Sequence, residues 1–453
     1  MPFSAPRSRP GPFTPSLLAL ALALALSLAG VGAQAEGLAA LYEAARDYDA
    51  GYLSARATAE AAQYKAAQSD ALVLPSAQLN ATASRTDANT SSNNNTTLNN
   101  VGVTLDGSYT LYNRANQATM AQAQKLLALA RTDLATAEQD LILRVAQAYF
   151  DVLAAQDTLA AARTGKTAIS EQLASAKRNF EVGTATITDT REAQARYDLS
   201  TARELVAEND LRTKQVVLDQ LVGRSGVSPD GLATPVLLPP MVPATAEAWL
   251  DNAEQRHPLI QKAQLAQDVA RLETEKARAG HSPTVNLVGQ VGGNNSGGTA
   301  ITDAFGRSGN NVNARIGVQL IMPLFTGFAV QNRIKETVVL EEKARNDLEA
   351  ARRGVRLSTR SAFLGVQSLQ AQVKALEAAE SSTKLALEAT QLGYKVGVRV
   401  NLDVLNAQSQ LFDTQRDLAK ARYDVLVTGL KLRQAAGQLQ PSDLIAVQAL
   451  LRR

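Results

Sequence analysis

The stretch LGYKVGVRVNLDVLNAQ, residues 392–408, decides the fold, because it interrupts a long helix-forming run with a glycine between valines. A second stretch, RNFEVGTATITDTREAQ at 178–194, aligns with it without a gap, 214 residues earlier. Glycine adopts positive φ angles readily, which suits a tight turn between two helices. The two stretches therefore predict a pair of matched helix–turn–helix units and an internal duplication.

The composition excludes several classes of protein. The chain has 453 residues, enough for two or three domains, and a formal net charge of +3. It contains no block of lysine and arginine with interleaved aromatic residues, so we expect no nucleic-acid partner. It also contains no cysteine, which excludes disulfides, thiolate metal sites and a lipid-modified N-terminal cysteine.

The first 35 residues have the three parts of a secretory signal peptide. Arg7 and Arg9 form the positive end, residues 17–31 are an apolar core, and AQA at 33–35 is a cleavage site. The alternative is a retained membrane anchor, for which the apolar run is short. We expect an exported protein whose mature chain begins at Glu36.

Short segments in both halves alternate apolar and polar residues with period two, which predicts strands with one dry and one wet face. Each is near the 9–11 residues or so that a tilted strand needs to cross a bilayer. The polar segments between them, 89–100 and 292–311, suit loops outside an outer-membrane barrel. The alternative is a soluble β-sandwich. The predicted strands are about 74–86, 101–112, 283–292 and 312–325.

The number of predicted strands determines how they can be used. Four strands cannot close a barrel, and open strand edges are not tolerated in lipid. Two chains would give eight strands and an interior filled by side chains, whereas three would give twelve and a usable lumen. If the strands span a membrane and the lumen conducts, the sequence predicts a trimer.

Long helical patterns follow each pair of strands. Residues 114–181 contain no proline, and 328–392 form the equivalent run. The helices after the two turns, 188–222 and 402–437, end near Gly223 and Gly437. A seam of apolar residues recurs every seven positions in the last helix, which predicts coiled-coil packing. Its members are Val404, Leu411, Leu418, Val425 and Leu432.

These elements divide the chain into two repeats of the same order. Each repeat has a shorter helix, two strands, a long helix, a turn and a second helix; in the second repeat the shorter helix is 245–279. A segment rich in proline and glycine joins the repeats. The predicted parts are the signal peptide 1–35, the first repeat 36–222, the linker 223–243, the second repeat 244–437 and a C-terminal segment 438–453.

Residues that would indicate an enzyme are missing from the sequence. His257 and His281 lie at predicted helix ends without the spacing of metal ligands. RTGKT at 163–167 resembles the end of a phosphate-binding loop, but Ala160 stands where that motif requires its first glycine. We expect no enzyme activity, cofactor or metal.

Four quoted segments together resemble the TolC family of outer-membrane efflux and secretion proteins, over essentially the whole mature chain. They are GYKVGVRVNLDVLNAQ (393–408), RYDVLVTGLKLRQAAG (422–437), FEVGTATITD (180–189) and IMPLFTGF (321–328). The resemblance implies an α+β membrane protein, a trimer with a twelve-stranded outer-membrane barrel, four strands per chain. A long periplasmic coiled-coil helical barrel would continue from it, with an equatorial girdle to which we assign 438–453.

The resemblance also implies a function and a set of partners. The channel would be the exit duct of a tripartite system for type I protein secretion or multidrug efflux. A periplasmic adaptor and an inner-membrane pump, of the ABC or RND type, would dock on it. The family's docking motif matches the two turns, at Val182, Gly183, Thr184, Val396, Gly397 and Val398.

In the family, the helical tips also close the periplasmic mouth. Asp189 resembles the aspartate of that gate, with Thr188 beside it. Tyr394 and Arg399 resemble the tyrosine and arginine that tie to it from the neighbouring coil. Asp403 resembles the outer aspartate of the constriction ring, whereas the position of the second ring aspartate is occupied by Asn406.

Two other kinds of protein compete with this interpretation. A trimeric structural stalk anchored by a barrel would carry strict heptads and would not need duplicated turns that face inward. A passive porin would have many more strands in one chain and far less helix. Both rivals would lack a closing aperture, which is what the repeated turns favour.

Overall fold

The structure is a computed structural model that describes residues 37–90, 94–233, 238–298 and 309–451. The predicted signal peptide at 1–35 lies outside the described residues, as do parts of the predicted linker and of the polar segment 292–311. Among the described residues, no helix combines the length and apolar character required to cross a bilayer.

The first repeat contains two short helices, two strands and two long helices. The first long helix has 68 residues and extends for about 100 Å at 1.5 Å per residue. The turn at 182–186, which we call the first tip, separates it from the second long helix. In chain order the elements are α1 (Leu38–Tyr48), α2 (Ala50–Asp70), β1 (Ser76–Thr90), β2 (Asn94–Tyr112), α3 (Arg114–Glu181) and α4 (Ile187–Val222).

The second repeat has the same order, and a short helix follows it. The turn at 396–400, which we call the second tip, separates its two long helices. The elements are α5 (Ala246–Arg256), α6 (Pro258–Arg278), β3 (Thr284–Gly298), β4 (Gly309–Ile321), α7 (Ala329–Lys395), α8 (Asn401–Ala435) and α9 (Pro441–Gln448).

The strands form one antiparallel sheet in the order β1-β2-β3-β4. The apolar side chains align across it: Leu79 pairs with Leu105, which pairs with Val291, which pairs with Ala314. This register places most apolar residues of the four strands on one face and most polar residues on the other. Within the described residues, the outer edges of β1 and β4 have no partner strand.

The long helices lie side by side in one layer. Near the tips α3 packs against α4 and α8, and α8 packs against α7, giving the order α4-α3-α8-α7. Nearer the sheet, the short helices α2 and α6 lie beside the long helices, and the order is α2-α3-α6-α7. The layer therefore ends at α4 and α2 on one side and at α7 on the other.

The largest apolar core lies at the middle of the helical layer. Leu41 and Tyr42 of α1 pack there against Tyr149 and Phe150 of α3 and Leu444 of α9. The backbone of Leu232, in the predicted linker, forms a β-bridge with Leu451 and so joins the linker to the C-terminal segment. The segment after residue 437 thus packs on the core.

Several predicted element boundaries differ from the structure. The predicted helix 245–279 is two helices, because Pro258 starts α6 and His257 is extended before it. The ladders of β1, β2 and β3 continue into the polar segments predicted as loops, since backbone pairing does not require apolar side chains. β4 ends at Ile321 rather than 325, because Pro323 has no amide hydrogen for the ladder. α7 continues to Lys395, three residues beyond its predicted end.

Candidate functional site

The two tip turns have the same backbone geometry. At the first, the amide of Gly183 donates to the carbonyl of Phe180 at 3.0 Å, and the amide of Thr184 donates to that of Asn179 at 2.8 Å. The second turn repeats this 214 residues later, with bonds of 3.1 Å and 2.9 Å. Gly183 and Gly397 have φ angles of 79° and 80°. Both are Schellman motifs, in which a left-handed glycine ends the helix.

The tips present apolar side chains to solvent. The side chains of Val182, Val396 and Val398 are 73%, 66% and 75% exposed. A Cβ added to either tip glycine would meet no atom within 4 Å. The glycines are therefore required by the backbone conformation, and the surface around them is open to a partner.

The predicted gate aspartate of the first tip caps its own helix. The carboxylate of Asp189 accepts from the Thr186 amide at 2.9 Å and from its hydroxyl at 2.7 Å. The Thr186 hydroxyl oxygen in turn accepts from the Asp189 amide at 3.2 Å. This is a capping box at the start of α4. Thr188, in the same first turn, is exposed.

The second tip begins its helix differently. Val400 occupies the position of Thr186 and has no hydroxyl, so the Asp403 carboxylate accepts only a 3.4 Å bond from the Val400 amide. That carboxylate also lies 3.6 Å from Arg399, in an ion pair whose side chains are 61% and 38% exposed. Such exposed pairs contribute about 0–1 kcal/mol.

The predicted contact of Asp189 with Tyr394 and Arg399 is not formed within one chain, and a contact between neighbouring chains stays a prediction. Within one chain the Asp189 carboxylate is held by Thr186, and Arg399 pairs with Asp403. The Tyr394 hydroxyl instead accepts from the Asn179 side-chain amide at 3.3 Å. The unpaired backbone amides at the start of α4 lie beside Asp189 in the chain, so its carboxylate caps its own helix.

Other polar residues, most of them not predicted from the sequence, join the first helical hairpin (α3 and α4) to the second (α7 and α8). Asn401 is 2% exposed; its carbonyl oxygen accepts a short bond from Gln172, and its amide donates to the Asp189 backbone carbonyl at 3.4 Å. Arg196 donates to Asn406 at 2.7 Å. An Asn and a Gln on helices carry no periodic signal, although Asn401 stands where the first repeat has Ile187.

An apolar contact lies beside these polar bonds. Leu405 of α8 is fully buried against Ile169, Leu173, Ala176 and Ala193 of the first hairpin. Burial of a leucine contributes about 1.5–3 kcal/mol. The second hairpin is therefore anchored on the first through Leu405 and a set of hydrogen bonds.

The remaining candidates have structural roles. The Nδ1 atom of His257 accepts from the Leu259 amide at 3.1 Å, and burial lowers the pKa of this imidazole. Residues 163–167 lie inside α3, away from any helix start. Within the described ranges, no three His, Cys, Asp or Glu side chains are grouped closely enough to hold a metal ion.

Comparison with known families decides the relationship. The family model described as outer membrane efflux protein matches the chain twice, over residues 41–224 and 249–438. The chain belongs to the outer membrane efflux protein family. The ends of the two matches lie 214 residues apart, the same spacing as the two tips. One family model thus covers each repeat, which confirms the internal duplication.

Relatives in the family are similar over most of their length. The outer membrane protein TolC of Vibrio cholerae is 35% identical over 419 residues, covering 92% of this chain and 94% of that protein. The alkaline protease secretion protein AprF of Pseudomonas aeruginosa is 34% identical over 320 residues, covering 69% and 64%. The predicted resemblance to the TolC family and the outer-membrane location are confirmed.

Solved structures of outer membrane proteins share the fold. The outer membrane protein VceC of Vibrio cholerae aligns with a TM-score of 0.75 at 20% identity, covering 88% of this chain and 96% of that one. The open state of the MtrE outer membrane channel of Neisseria gonorrhoeae aligns with a TM-score of 0.72 at 21% identity, covering 89% and 90%. The predicted fold class, an α+β channel subunit with an internal duplication, is confirmed.

Proposed function

We propose that three copies of this chain form an outer-membrane exit duct for tripartite export, with a periplasmic mouth closed by the helical tips. The observation that carries this proposal is that both layers of the subunit end in unsatisfied edges. Within the described residues, β1 and β4 each lack a partner on one side, and lipid does not tolerate such edges. Three chains supply twelve strands, enough for a closed barrel with a lumen.

The helical layer supports the same assembly. The edge helix α7 exposes Leu357, Leu364, Leu385 and Leu392, which lie on one line of seven-residue steps. A line of this period is the seam of a coiled coil, and here it faces no helix among the described residues of its own chain. The opposite edge helix, α4, exposes Val206 and other apolar residues. A neighbouring subunit would bury both edges.

The tips support a role in closure and docking. We assign the gate to Asp189, Thr188, Tyr394, Arg399, Asp403 and Asn406, as the resemblance implies, and add Gln172, Asn179, Arg196 and Asn401. The bonds within a chain are mostly neutral ones worth about 1 kcal/mol each. Such bonds hold a mouth closed and still allow a docking partner to open it.

The partners follow from the family and from the exposed tips. The exposed valines beside Gly183 and Gly397 would receive a periplasmic adaptor, which connects the duct to an ABC or RND pump. Relatives named for protease secretion and for efflux both support an export duct. The proposal covers protein and small-molecule cargo.

Single-channel recording in planar bilayers tests the gate. Replacing Tyr394→Phe together with Arg399→Ser removes the bond to Asn179 and the ion pair with Asp403. We expect a several-fold rise in conductance. The matched control is Arg416→Ser, which removes exposed ion pairs on α8 about 25 Å from the tip. Unchanged conductance in the double variant, or an equal rise in the control, would contradict the gate.

The rival functions make different predictions for the same recordings. A structural stalk would give no channels at all. A passive porin would give wide channels whose conductance does not depend on Tyr394 or Arg399. The polar contacts between the two hairpins favour a mouth that both hairpins close together, which neither rival has.

A further inference from the structure

One row of side chains crosses the polar face of all four strands in register. Gln78 of β1 is paired with Asp106 of β2, which is paired with Gln290 of β3, which is paired with Arg315 of β4. Since directly paired residues point to the same face of a sheet, the four side chains lie together. We call this row the charge belt.

Hydrogen bonds connect the two charges of the belt. The Asp106 carboxylate accepts from Asn80 at 2.6 Å, from Thr104 at 3.2 Å and from the Gln290 amide at 2.8 Å. The carbonyl oxygen of Gln290 accepts from the Arg315 guanidinium at 3.1 Å. Gln290 therefore bridges an anion and a cation, and its amide orientation is set by both.

No other ionised side chain lies on this face of the described strand residues. Arg85 and Asp87 are in phase with Leu79 and so belong to the opposite, apolar face. The rest of the polar face carries uncharged residues such as Thr82, Asn294 and Gln319. The described strand residues of each chain thus contribute one negative and one positive charge to this wall.

We infer that Asp106 and Arg315 balance the electrostatic potential of the duct inside the membrane, so that this segment passes cargo of either sign. The inference rests on the proposed function, in which the polar face lines a water-filled lumen. A single unit charge about 6 Å from a charged solute changes its local concentration roughly threefold in water. Removal of one member leaves three copies of the other unbalanced around the lumen.

The positions of Asp106 and Arg315 confine the balance of charge to one depth of the lumen. Asp106 is fixed by three donors from β1, β2 and β3, so its charge cannot swing away from the wall. Arg315 is exposed on the edge strand and donates a hydrogen bond to Gln290. A charged solute in the lumen therefore meets both charges at the same depth.

Thiol modification measures this potential at its source and does not depend on the resistance of the periplasmic mouth. The chain has no cysteine, so Asn313→Cys supplies a single thiol two residues from Arg315 on the same face. The full-length protein in lipid vesicles is treated with anionic and cationic methanethiosulfonate reagents of similar size. The ratio of the two modification rates, anionic over cationic, is read by intact mass.

Four variants in the Asn313→Cys background give the expected pattern. Arg315→Gln should lower the ratio about tenfold, since each reagent changes by roughly threefold in opposite directions. Asp106→Asn should raise it by a similar factor. The two changes combined, and Arg315→Lys alone, should leave the ratio within about twofold of the parent.

Two outcomes overturn different statements. Equal ratios in the parent, Arg315→Gln and Asp106→Asn would overturn the charge belt. A second reporter, Val318→Cys on the apolar face, should react slowly with both reagents because lipid covers it. If it reacted as fast as Asn313→Cys, the apolar face would not lie in lipid, and the proposed function would fail instead.

Discussion

The two tip turns share one backbone and differ in how their helices start. Both are Schellman turns with a glycine near φ 80°, and their hydrogen bonds correspond residue by residue. At the first tip, the Thr186 hydroxyl and the Asp189 carboxylate satisfy each other in a capping box. At the second tip, Val400 offers no hydroxyl, and Asp403 turns to Arg399.

This difference shows which features of the tip are the same in both repeats and which have changed. The turn is fixed by backbone requirements that only glycine meets easily, so both copies retain it. The side chain before each helix is free to change. With Thr186, the hydrogen-bonding groups at the helix start of the first tip bond to one another. With Val400, the second tip leaves its carboxylate and arginine exposed. We propose that the two tips have different roles, in which the first supports the second and the second makes contacts across the mouth.

The largest expected effect breaks the support of the second tip on the first. Leu405→Ala leaves a cavity against Ile169, Leu173 and their neighbours. A buried leucine truncated to alanine costs about 2–5 kcal/mol. Hydrogen exchange of peptides from 401–408 and 169–176, in the detergent-solubilised protein, should become at least about tenfold faster.

The control for this change is the aligned position in the first repeat. Arg191 lies 214 residues before Leu405 and is exposed. Arg191→Ala should leave exchange within about twofold of the parent. Equal effects at both positions would mean that the tips support each other symmetrically, contrary to the comparison.

A smaller and equal effect is expected from the two glycines. Gly183→Ala and Gly397→Ala each force a Cβ into left-handed geometry, at a cost of about 1–2 kcal/mol. Since no neighbour lies within 4 Å of either Cβ, the two costs should match. Local exchange at 180–186 and 394–400 measures them separately.

The double glycine variant also tests docking. We expect trimers to remain and export to fall, because the altered turns lie on the exposed surface that we propose as the docking site of the adaptor. Export is measured as secretion or dye efflux from cells that depend on this duct. Normal export by the double variant would remove the docking assignment.

The smallest expected effect exchanges the two caps. Thr186→Val should cost about 1 kcal/mol and speed exchange of the Asp189 amide roughly fivefold. Val400→Thr should slow exchange of the Asp403 amide by a similar factor and draw its carboxylate from Arg399. If neither amide responds, the capping box does not distinguish the tips.

The fold could be predicted from the sequence because its signals are local and repeated. Residues 114–181 are uninterrupted helix formers, and α3 occupies that range. The glycines of the tips, displaced by 214 residues, identified both turns. The break at His257 was missed, because helix formers continue on both sides and only the proline after it forces the chain to extend.

The candidate site was only partly predictable. The resemblance located Asp189, Tyr394 and Arg399, but not their partners within the chain. Asp189 has both a nearby cap and a distant arginine available, and the sequence alone does not rank them. The bond between Gln172 and Asn401 joins residues 229 positions apart that follow no period. The charge belt depends on strand register, which the alternating pattern does not determine across three ladders.

The central claim is that one chain carries only a third of a closed wall, and native mass spectrometry of the detergent-extracted, full-length protein tests it most directly. We predict particles of three chains that separate only when the strands unfold. A single chain that stays folded and water-soluble once detergent is removed would contradict it, because the edges of β1, β4, α4 and α7 would then need no neighbour.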